Sequence, residues 1–290
     1  MGTASGKYAT VNGIGSLMEW SANDAQNGNA YVTSNTRCAT GRGGGIADVS
    51  GTLSGKGGKP PVFPNETFAF QGYTAPDNGV ENGDGLIYSA SMICRQITVT
   101  WNWVNNELIT WSAELAGRSS LSFSTGAPFQ DTTPVSIDYP CGQFLSYDGI
   151  EIPAIAQATL TISANLFETS NSSTRDANGC FINRGPGPLD WSLTAQQEDH
   201  MRAMSGYPDL GIRNHSLDLA INPTESWQLN FGFFSGYSGF SANRDGSVIG
   251  RTLTWNMNAE NEGTIGHIIC PGETVPQWPT TPTTPEPPAP

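Results

Sequence analysis

Residues able to do chemistry are few in this chain, and they rarely fall at the spacings that active sites use. The three histidines, His200, His215 and His267, show no metal-ligand spacing and have no G-x-S-x-G serine to activate. The adjacent carboxylates Glu198 and Asp199 would suit a glycosidase, but their polar segment has no counterpart elsewhere in the chain, which favours a solvated surface. Neither a G-x-x-x-x-G-K-[ST] nor a G-x-G-x-x-G loop is present. We therefore predict no enzyme activity, and no catalytic, cofactor-binding or metal-binding residue.

Two further features bear on metal binding. The acidic loop at residues 77–85 offers oxygen ligands that suit calcium, but Gly79 occupies a ligand position of the EF-hand pattern. The five cysteines lie far apart and form no C-x-x-C, so we expect free and mostly buried thiols, with a disulfide or a zinc site as alternatives. They are Cys38, Cys94, Cys141, Cys180 and Cys270.

The composition indicates an all-β protein. Of the 290 residues only 13% are charged, whereas 34 are Gly and 20 are Pro. Solvated helices need charged outer faces, while Gly and Pro separate short strands by turns. The net charge of −13 excludes binding of nucleic acid through a basic face, and the 37% hydrophobic content excludes disorder throughout.

The chain ends and its compartment give further expectations. No run of 18 apolar residues is present, so no membrane span is predicted, and the first residues lack the apolar core of a signal peptide. Folding in a cytoplasm is therefore expected, where the sequons at Asn65, Asn171 and Asn214 have no meaning. From Pro276 onward the Pro/Thr-rich sequence predicts an extended tail, either free or docked on a neighbouring subunit.

Similar segments recur in the same order in both halves of the chain, which predicts a tandem duplication. The matches join residues 34–41 to 172–179, 42–52 to 184–194 after an insertion at 180–183, 98–102 to 252–256, 9–11 to 158–160, and 66–68 to 225–227. We predict a first β domain at residues 1–120, a connector at 121–143, a second β domain at 144–272 and a tail at 273–290.

One of the repeated segments reads Arg-Gly-x-Gly-x-x-Asp-x-Ser in both copies. It runs from Arg42 to Ser50 and from Arg184 to Ser192. The structural interpretation is an arginine bonded to a carboxylate or to backbone, with Asp or Ser securing the start of a strand. The alternative is a ligand-binding site. We favour the structural interpretation.

Alternation of apolar and polar residues predicts the strands. Residues 96–103 and 108–115 form a hairpin around Asn105-Asn106, with Trp101, Trp103 and Trp111 on its inward face. Residues 251–257 and 264–269 repeat this hairpin, residues 154–166 and 190–194 are further strands, and 194–204 is the single helix candidate.

The order of these segments, and above all the hairpin Thr-Val-Thr-Trp-Asn-Trp-Val-Asn-Asn-Glu-Leu-Ile-Thr-Trp, resembles the tail tube proteins of long-tailed bacteriophages, in a version with a duplicated domain. The resemblance covers residues 7–120 and 144–272. It implies two tandem β-sandwich or barrel domains with at most one or two short helices, and no catalytic residues.

The resemblance further implies a virion protein of the tail, assembled in the host cytoplasm, whose copies stack as rings. A duplicated subunit would give three chains per ring with pseudo-sixfold symmetry, in contact with other tail proteins. An acidic lumen would let DNA pass without binding it. The alternatives are a capsid decoration or other virion β protein, and a carbohydrate-binding or adhesin module of a cell-surface protein, which the Trp content suggests.

Overall fold

Every regular element that the structure describes is a β-strand. A computed structural model describes residues 3–27, 30–31, 41–42, 46–74, 85–126, 139–140, 145–147, 149–170, 173–176, 179–199, 215–237, 249–257 and 268–269. These residues contain no helix, which confirms the predicted all-β class. In this part of the chain, accordingly, no helix has the length and apolar character needed to cross a bilayer.

The first half of the chain contributes nine strands. They are β1 (Thr3–Val11), β2 (Ile14–Asn27), β3 (Ala30–Tyr31), β4 (Gly41–Arg42), β5 (Ile46–Lys56), β6 (Thr67–Thr74), β7 (Gly85–Asn102), β8 (Thr110–Gly117) and β9 (Ser122–Gly126).

The second half contributes twelve strands. They are β10 (Leu145–Tyr147), β11 (Ile150–Glu151), β12 (Ile155–Ala164), β13 (Phe167–Thr169), β14 (Arg175–Asp176), β15 (Gly179–Cys180), β16 (Asn183–Gly185), β17 (Leu189–Asp199), β18 (His215–Asn222), β19 (Glu225–Tyr237), β20 (Ile249–Met257) and β21 (Ile268–Ile269).

Six strands of the first half form a closed ring of antiparallel pairings. Their order is β7, β6, β1, β2, β5 and β8, and β8 pairs back with β7. Asn12 and Gly13 join β1 to β2 with φ values of 51° and 80°, the left-handed pair that a two-residue hairpin requires. Because the ring closes, most backbone groups of these strands are bonded on both sides.

The second half adds a series of strands to the same sheet. β12 pairs with β7, and the order continues through β17, β20, β19 and β18 to β10 and β11. Among the described strands this series does not close on itself. It packs instead against the first half, where the indole Nε1 of Trp101 donates to the carbonyl of Ala220 and that of Trp227 donates to the carbonyl of Gly58.

One apolar core runs through both halves. Ile97, Val99 and Trp101 of β7 are fully buried, and Leu160, on β12, belongs to the same cluster. The predicted hairpin is confirmed, because β7 and β8 pair from Thr100 opposite Thr110. The predicted inward face is confirmed as well: Trp101 and Trp111 are buried and Trp103 is half-buried against the core.

The predicted helix at residues 194–204 is wrong over its described part. β17 continues to Asp199 and is paired on both sides, with β12 and with β20. Leu193, Ala195 and Gln197 face the core, and the side-chain Nε2 of Gln197 donates to the carbonyl of Pro153 at 2.8 Å. Ladder bonds on both edges override the helix preference of this polar run. Residues 200–204 lie outside the described residues.

The predicted second hairpin differs too. Residues 251–257 form β20 as predicted, but Ile268 and Ile269 pair with β19, opposite Leu229 and Gln228. A short apolar strand forms its backbone hydrogen bonds with whichever strand the fold places beside it. The local sequence does not specify that partner. The predicted strands at 154–166 and 190–194 are confirmed as β12 and β17.

Most of the matched segments lie in strands of both halves, but in different surroundings. β5 and β17 are each 11 residues long. β5 lies between β2 and β8, whereas β17 lies between β12 and β20. The structure therefore does not show the duplication, and the division into domains stays a prediction.

Candidate functional site

Arg184, the arginine of the second repeated motif, is the buried centre of an ion cluster whose two carboxylates are partly exposed. Its side chain is 6% exposed, and β16 holds it between β5 and β13. Nη2 donates to Asp48 Oδ1 at 2.7 Å, and Nε donates to Glu168 Oε1 at 2.9 Å. Nη1 lies 3.5 Å from the carbonyls of Val49 and Gly117. We call Arg184, Asp48 and Glu168 the Arg184 cluster.

The Arg184 cluster joins the two halves of the chain. The predicted arginine bonded to carboxylate and backbone is confirmed for Arg184, but its aspartate is Asp48 of the first copy of the motif. Asp190, the aspartate of its own copy, is exposed at the start of β17. The side chain of Arg42 lies outside the described residues. The sequence analysis named no carboxylate partner for either arginine, so it did not predict this contact between the two copies.

The Arg184 cluster has one cation between two carboxylates. Burial lowers the pKa of Arg184, but hydrogen bonds and charge attraction from Asp48 and Glu168 outweigh burial and raise that pKa above its ordinary value. Arg95 Nη2 lies 3.4 Å from the same Glu168 oxygen, at the rim where both side chains are about half exposed. With Arg95 included, two arginines face two carboxylates, an arrangement that stabilises the contact between the two halves.

The insertion at residues 180–183 positions Arg184. Phe181 forms a bridge with Ala47 at the start of β5, and the amide of Ile182 donates to the carbonyl of Ala47 at 3.0 Å. Two of the four residues that interrupt the sequence match thus contact the first half directly, next to Arg184.

Asn65 makes a second polar contact between the halves. Its side-chain amide donates to the carbonyl of Gly187 at 2.7 Å, and its Oδ1 accepts from the amide of Gly187 at 3.0 Å. Asn65 has a φ of 74°, in the left-handed region that Asn tolerates better than most residues. The side chain of Asn65, the asparagine of the first sequon, thus makes hydrogen bonds within the fold. Asn171 and Asn214 lie outside the described residues.

Two open grooves are lined by described residues. One, of about 540 Å³, lies over β6 and β7 and is rich in hydroxyl groups, including those of Thr67, Ser89, Ser91, Ser119 and Ser122. None of its lining residues is an acid or a base. The other, of about 690 Å³, lies beside Arg95 and Glu168 at the rim of the Arg184 cluster. The second groove is lined by Ser163 as well as by Glu168, and that carboxylate is engaged with Arg184 and Arg95.

An uncharged ribbon borders the hydroxyl-rich groove. It consists of β6, residues 85–91 of β7, and β9, and none of these residues is Asp, Glu, Lys, Arg or His. β9 pairs with β7 from Ser122 opposite Ser89 to Gly126 opposite Gly85. Phe123, in the middle of β9, is 74% exposed. We call these three segments the neutral ribbon.

The remaining candidate residues are only partly described. Cys94 is free and buried, as predicted, and its burial raises the pKa of the thiol from 9.0 to about 12. Cys180 is free but exposed. His215 lies in β18 and Glu198 and Asp199 in β17, all without described side chains. The acidic loop at 77–84, His200, His267 and the other three cysteines lie outside the described residues.

No group of three His, Cys, Asp or Glu side chains able to hold a metal ion occurs in the described ranges.

No protein-family model matches the chain, and no curated protein sequence matches it. The case for its function therefore rests on its own residues and their arrangement.

Proposed function

We propose that this chain is a structural virion protein whose copies assemble into the stacked rings of a phage tail tube. The observation that carries the proposal is the antiparallel all-β body, built around the Trp-rich β7–β8 hairpin that resembles tail tube proteins. A subunit of such a tube is covered by copies of itself and has little use for charged faces. The low charged fraction of 13% and the neutral ribbon agree with this role.

The acidity of the chain supports a conduit for DNA. A net charge of −13 repels phosphates, so a lumen lined by these subunits would let the genome slide past. In this proposal three chains form each ring with pseudo-sixfold symmetry, other tail proteins cap the tube, and DNA passes without specific binding. Assembly takes place in the host cytoplasm, and the product belongs to the virion tail.

The burial of the tryptophans favours this role over a carbohydrate-binding module. Such modules stack sugars on exposed indoles. Six of the eight tryptophans are buried and Trp103 is half-buried. These six are Trp20, Trp101, Trp111, Trp191, Trp227 and Trp255. Trp278 lies outside the described residues.

Sedimentation velocity and electron microscopy of the untagged protein over a range of concentrations test the proposal. We expect stacked rings one subunit thick, formed either by the protein alone or with tail proteins of the same phage. Immunogold labelling of virions separates the alternatives, since a decoration protein would label heads. Protein that remains monomeric at high concentration, with and without virion components, would refute the proposal.

A further inference from the structure

The side chain of Asp190, the aspartate of the second repeated motif, has no partner among the described residues. It is exposed at the start of β17. Its counterpart in the first copy of the motif, Asp48, accepts a hydrogen bond from Arg184 Nη2 at 2.7 Å. The same motif thus carries an aspartate bonded to an arginine in one half, and an aspartate without a described partner in the other.

The neighbouring strands differ, but the two aspartates occupy equivalent places relative to them. β5 carries Asp48 and lies between β2, the long strand that precedes it in the chain, and β8. β17 carries Asp190 and lies between β12, the long strand that precedes it, and β20. Pairing with β8 begins at Ser50 and pairing with β20 begins at Ser192, in both cases two residues after the aspartate. The strand arrangement that receives Arg184 beside Asp48 therefore recurs beside Asp190.

The two arginines of the motif occupy equivalent places as well. Arg184 lies in β16, which pairs with β13 in a two-stranded sheet, and Arg42 lies in β4, which pairs with β3 in another. Each small sheet comes directly before the long strand that carries the aspartate of the same copy. Arg184 nevertheless binds Asp48 of the other copy. The contact therefore joins the arginine of one copy of the motif to the aspartate of the other copy.

This pairing uses one arginine and one aspartate of the two motifs, and Arg42 and Asp190 are the other two. A contact that runs from the arginine of one domain to the aspartate of another is heterologous, and such contacts close into a ring when the rotation between domains allows it. Within one chain the contact occurs once, from Arg184 to Asp48. In a ring of several chains it can occur again wherever the first half of one copy meets the second half of the next.

We propose that Asp190 is a docking site for Arg42 of a second copy of this chain. The inference rests on the proposed function and deepens it, because it assigns the contact between neighbouring subunits to the type of ion pair that joins the halves within a subunit. The Arg184 cluster supplies the chemistry, a guanidinium bonded to a carboxylate on a strand and flanked by two backbone carbonyls. Opposite charges at Arg42 and Asp190 attract each other locally, although each copy carries a net charge of −13.

The test is an exchange of charges in the full chain. Asp190→Arg and Arg42→Asp, each alone, place two like charges in the contact, so we expect each to raise the concentration needed for assembly by at least about tenfold. The variant with both substitutions restores opposite charges and should assemble within about threefold of wild type. Glu151→Arg is the matched control, because it reverses an exposed carboxylate of the same half and should leave assembly unchanged. Unchanged thermal midpoints of all variants verify that the subunit still folds.

Carbodiimide cross-linking of the variant Arg42→Lys gives an independent readout. The reagent joins the introduced amine to the carboxylate of Asp190 as an amide, with loss of water. In assemblies mixed from heavy-isotope-labelled and unlabelled protein, we expect cross-linked peptides that contain one partner of each kind.

Three results would overturn the inference while the proposed function stands. They are single variants that assemble like wild type, a double variant that assembles no better than the single ones, and cross-linked peptides that are absent or contain only one isotope. If wild type does not assemble at all, the proposed function fails and this inference fails with it.

Discussion

The two halves of the chain differ in how the backbone groups at the edges of their sheets are bonded. In the first half, six strands close into a ring, and β7 bonds to both β6 and β8. In the second half, the described strands form an open series that completes its packing against the first half, through Ala220 and Trp227. Similar sequence segments therefore lie in a closed ring of strands in one half and in an open series in the other, with one core shared by both.

The same contrast appears at individual repeated residues. Trp101 and Trp255 occupy equal places in Thr-x-Thr-Trp-Asn and both are fully buried. The Nε1 of Trp101 donates to Ala220, whereas the Nε1 of Trp255 has no partner among the described residues. Asp48 binds Arg184 while Asp190 is exposed. The two tryptophans are thus both buried and the two aspartates both lie in strands, but the side chains of each pair make different hydrogen bonds in the two halves.

The largest expected effect tests whether the halves share one core. Trp101→Ala empties a fully buried site between them and should lower the free energy of unfolding by about 3–5 kcal/mol. Chemical denaturation followed by circular dichroism should show a single transition moved as a whole. A transition that splits, with one part unmoved, would show that the halves unfold independently. Val104→Ala, at an exposed site in the same hairpin, should change stability by less than about 0.5 kcal/mol.

The next effect concerns the Arg184 cluster. Arg184→Met keeps most of the side-chain volume but leaves Asp48 and Glu168 without their shared cation, so we expect a loss of about 1–3 kcal/mol in the free energy of unfolding. Because both carboxylates are partly exposed and regain water, the loss stays below that of a fully buried pair. Arg95→Met, at the exposed rim, should cost less than about 1 kcal/mol. Equal losses for the two variants would contradict the central place of Arg184.

A smaller difference separates the two repeated tryptophans. Trp101→Phe removes volume and the hydrogen bond to Ala220, whereas Trp255→Phe removes volume without a described hydrogen bond. We expect the first variant to lose about 1 kcal/mol more than the second. The measurement is the difference between their urea midpoints at equal slopes. A larger loss for Trp255→Phe would mean that its indole bonds strongly to residues beyond those described.

The smallest effect at neutral pH is at Cys94. Its thiol pKa is raised from 9.0 to about 12 by burial, so the folded chain keeps a proton that the unfolded chain releases between pH 9 and 12. Unfolding therefore becomes easier as the pH rises through this window, by about 1 kcal/mol at pH 10. Cys94→Ala should remove this part of the pH dependence, and Cys180→Ala, at an exposed site, should retain it. Identical alkaline profiles for wild type and Cys94→Ala would contradict the burial of the thiol.

Much of the fold could be predicted from local pattern. The alternation at residues 96–103 placed Ile97, Val99 and Trp101 on the inward face because a strand directs successive side chains to opposite sides. The same rule identified β12, β17 and β20. It was overruled at residues 194–199, where polar residues suggested a helix and pairing on both edges imposed a strand.

The sequence predicted which type of polar contact the arginine makes, but not which residue is its partner. The motif Arg-Gly-x-Gly-x-x-Asp-x-Ser indicated an arginine bonded to a carboxylate, and Arg184 has that bond. Its partner Asp48 lies 136 residues away in the chain, and no spacing rule links the two. The reciprocal bonds of Asn65 with Gly187 are equally distant and left no signal beyond an asparagine before a strand.

The sequence by itself determined the all-β class of the protein: a Gly- and Pro-rich chain with few charged residues forms strands with buried tryptophans, because side-chain alternation and turn chemistry act between near neighbours. Only the tertiary structure decided which strands pair and that β9 has an exposed, uncharged edge. It also decided that six strands of the first half close into a ring, while the described strands of the second half form an open series packed against that ring. Strand pairing joins residues far apart in the chain through backbone groups that every sequence shares. Which strands pair with each other is therefore decided by the packing of the whole molecule.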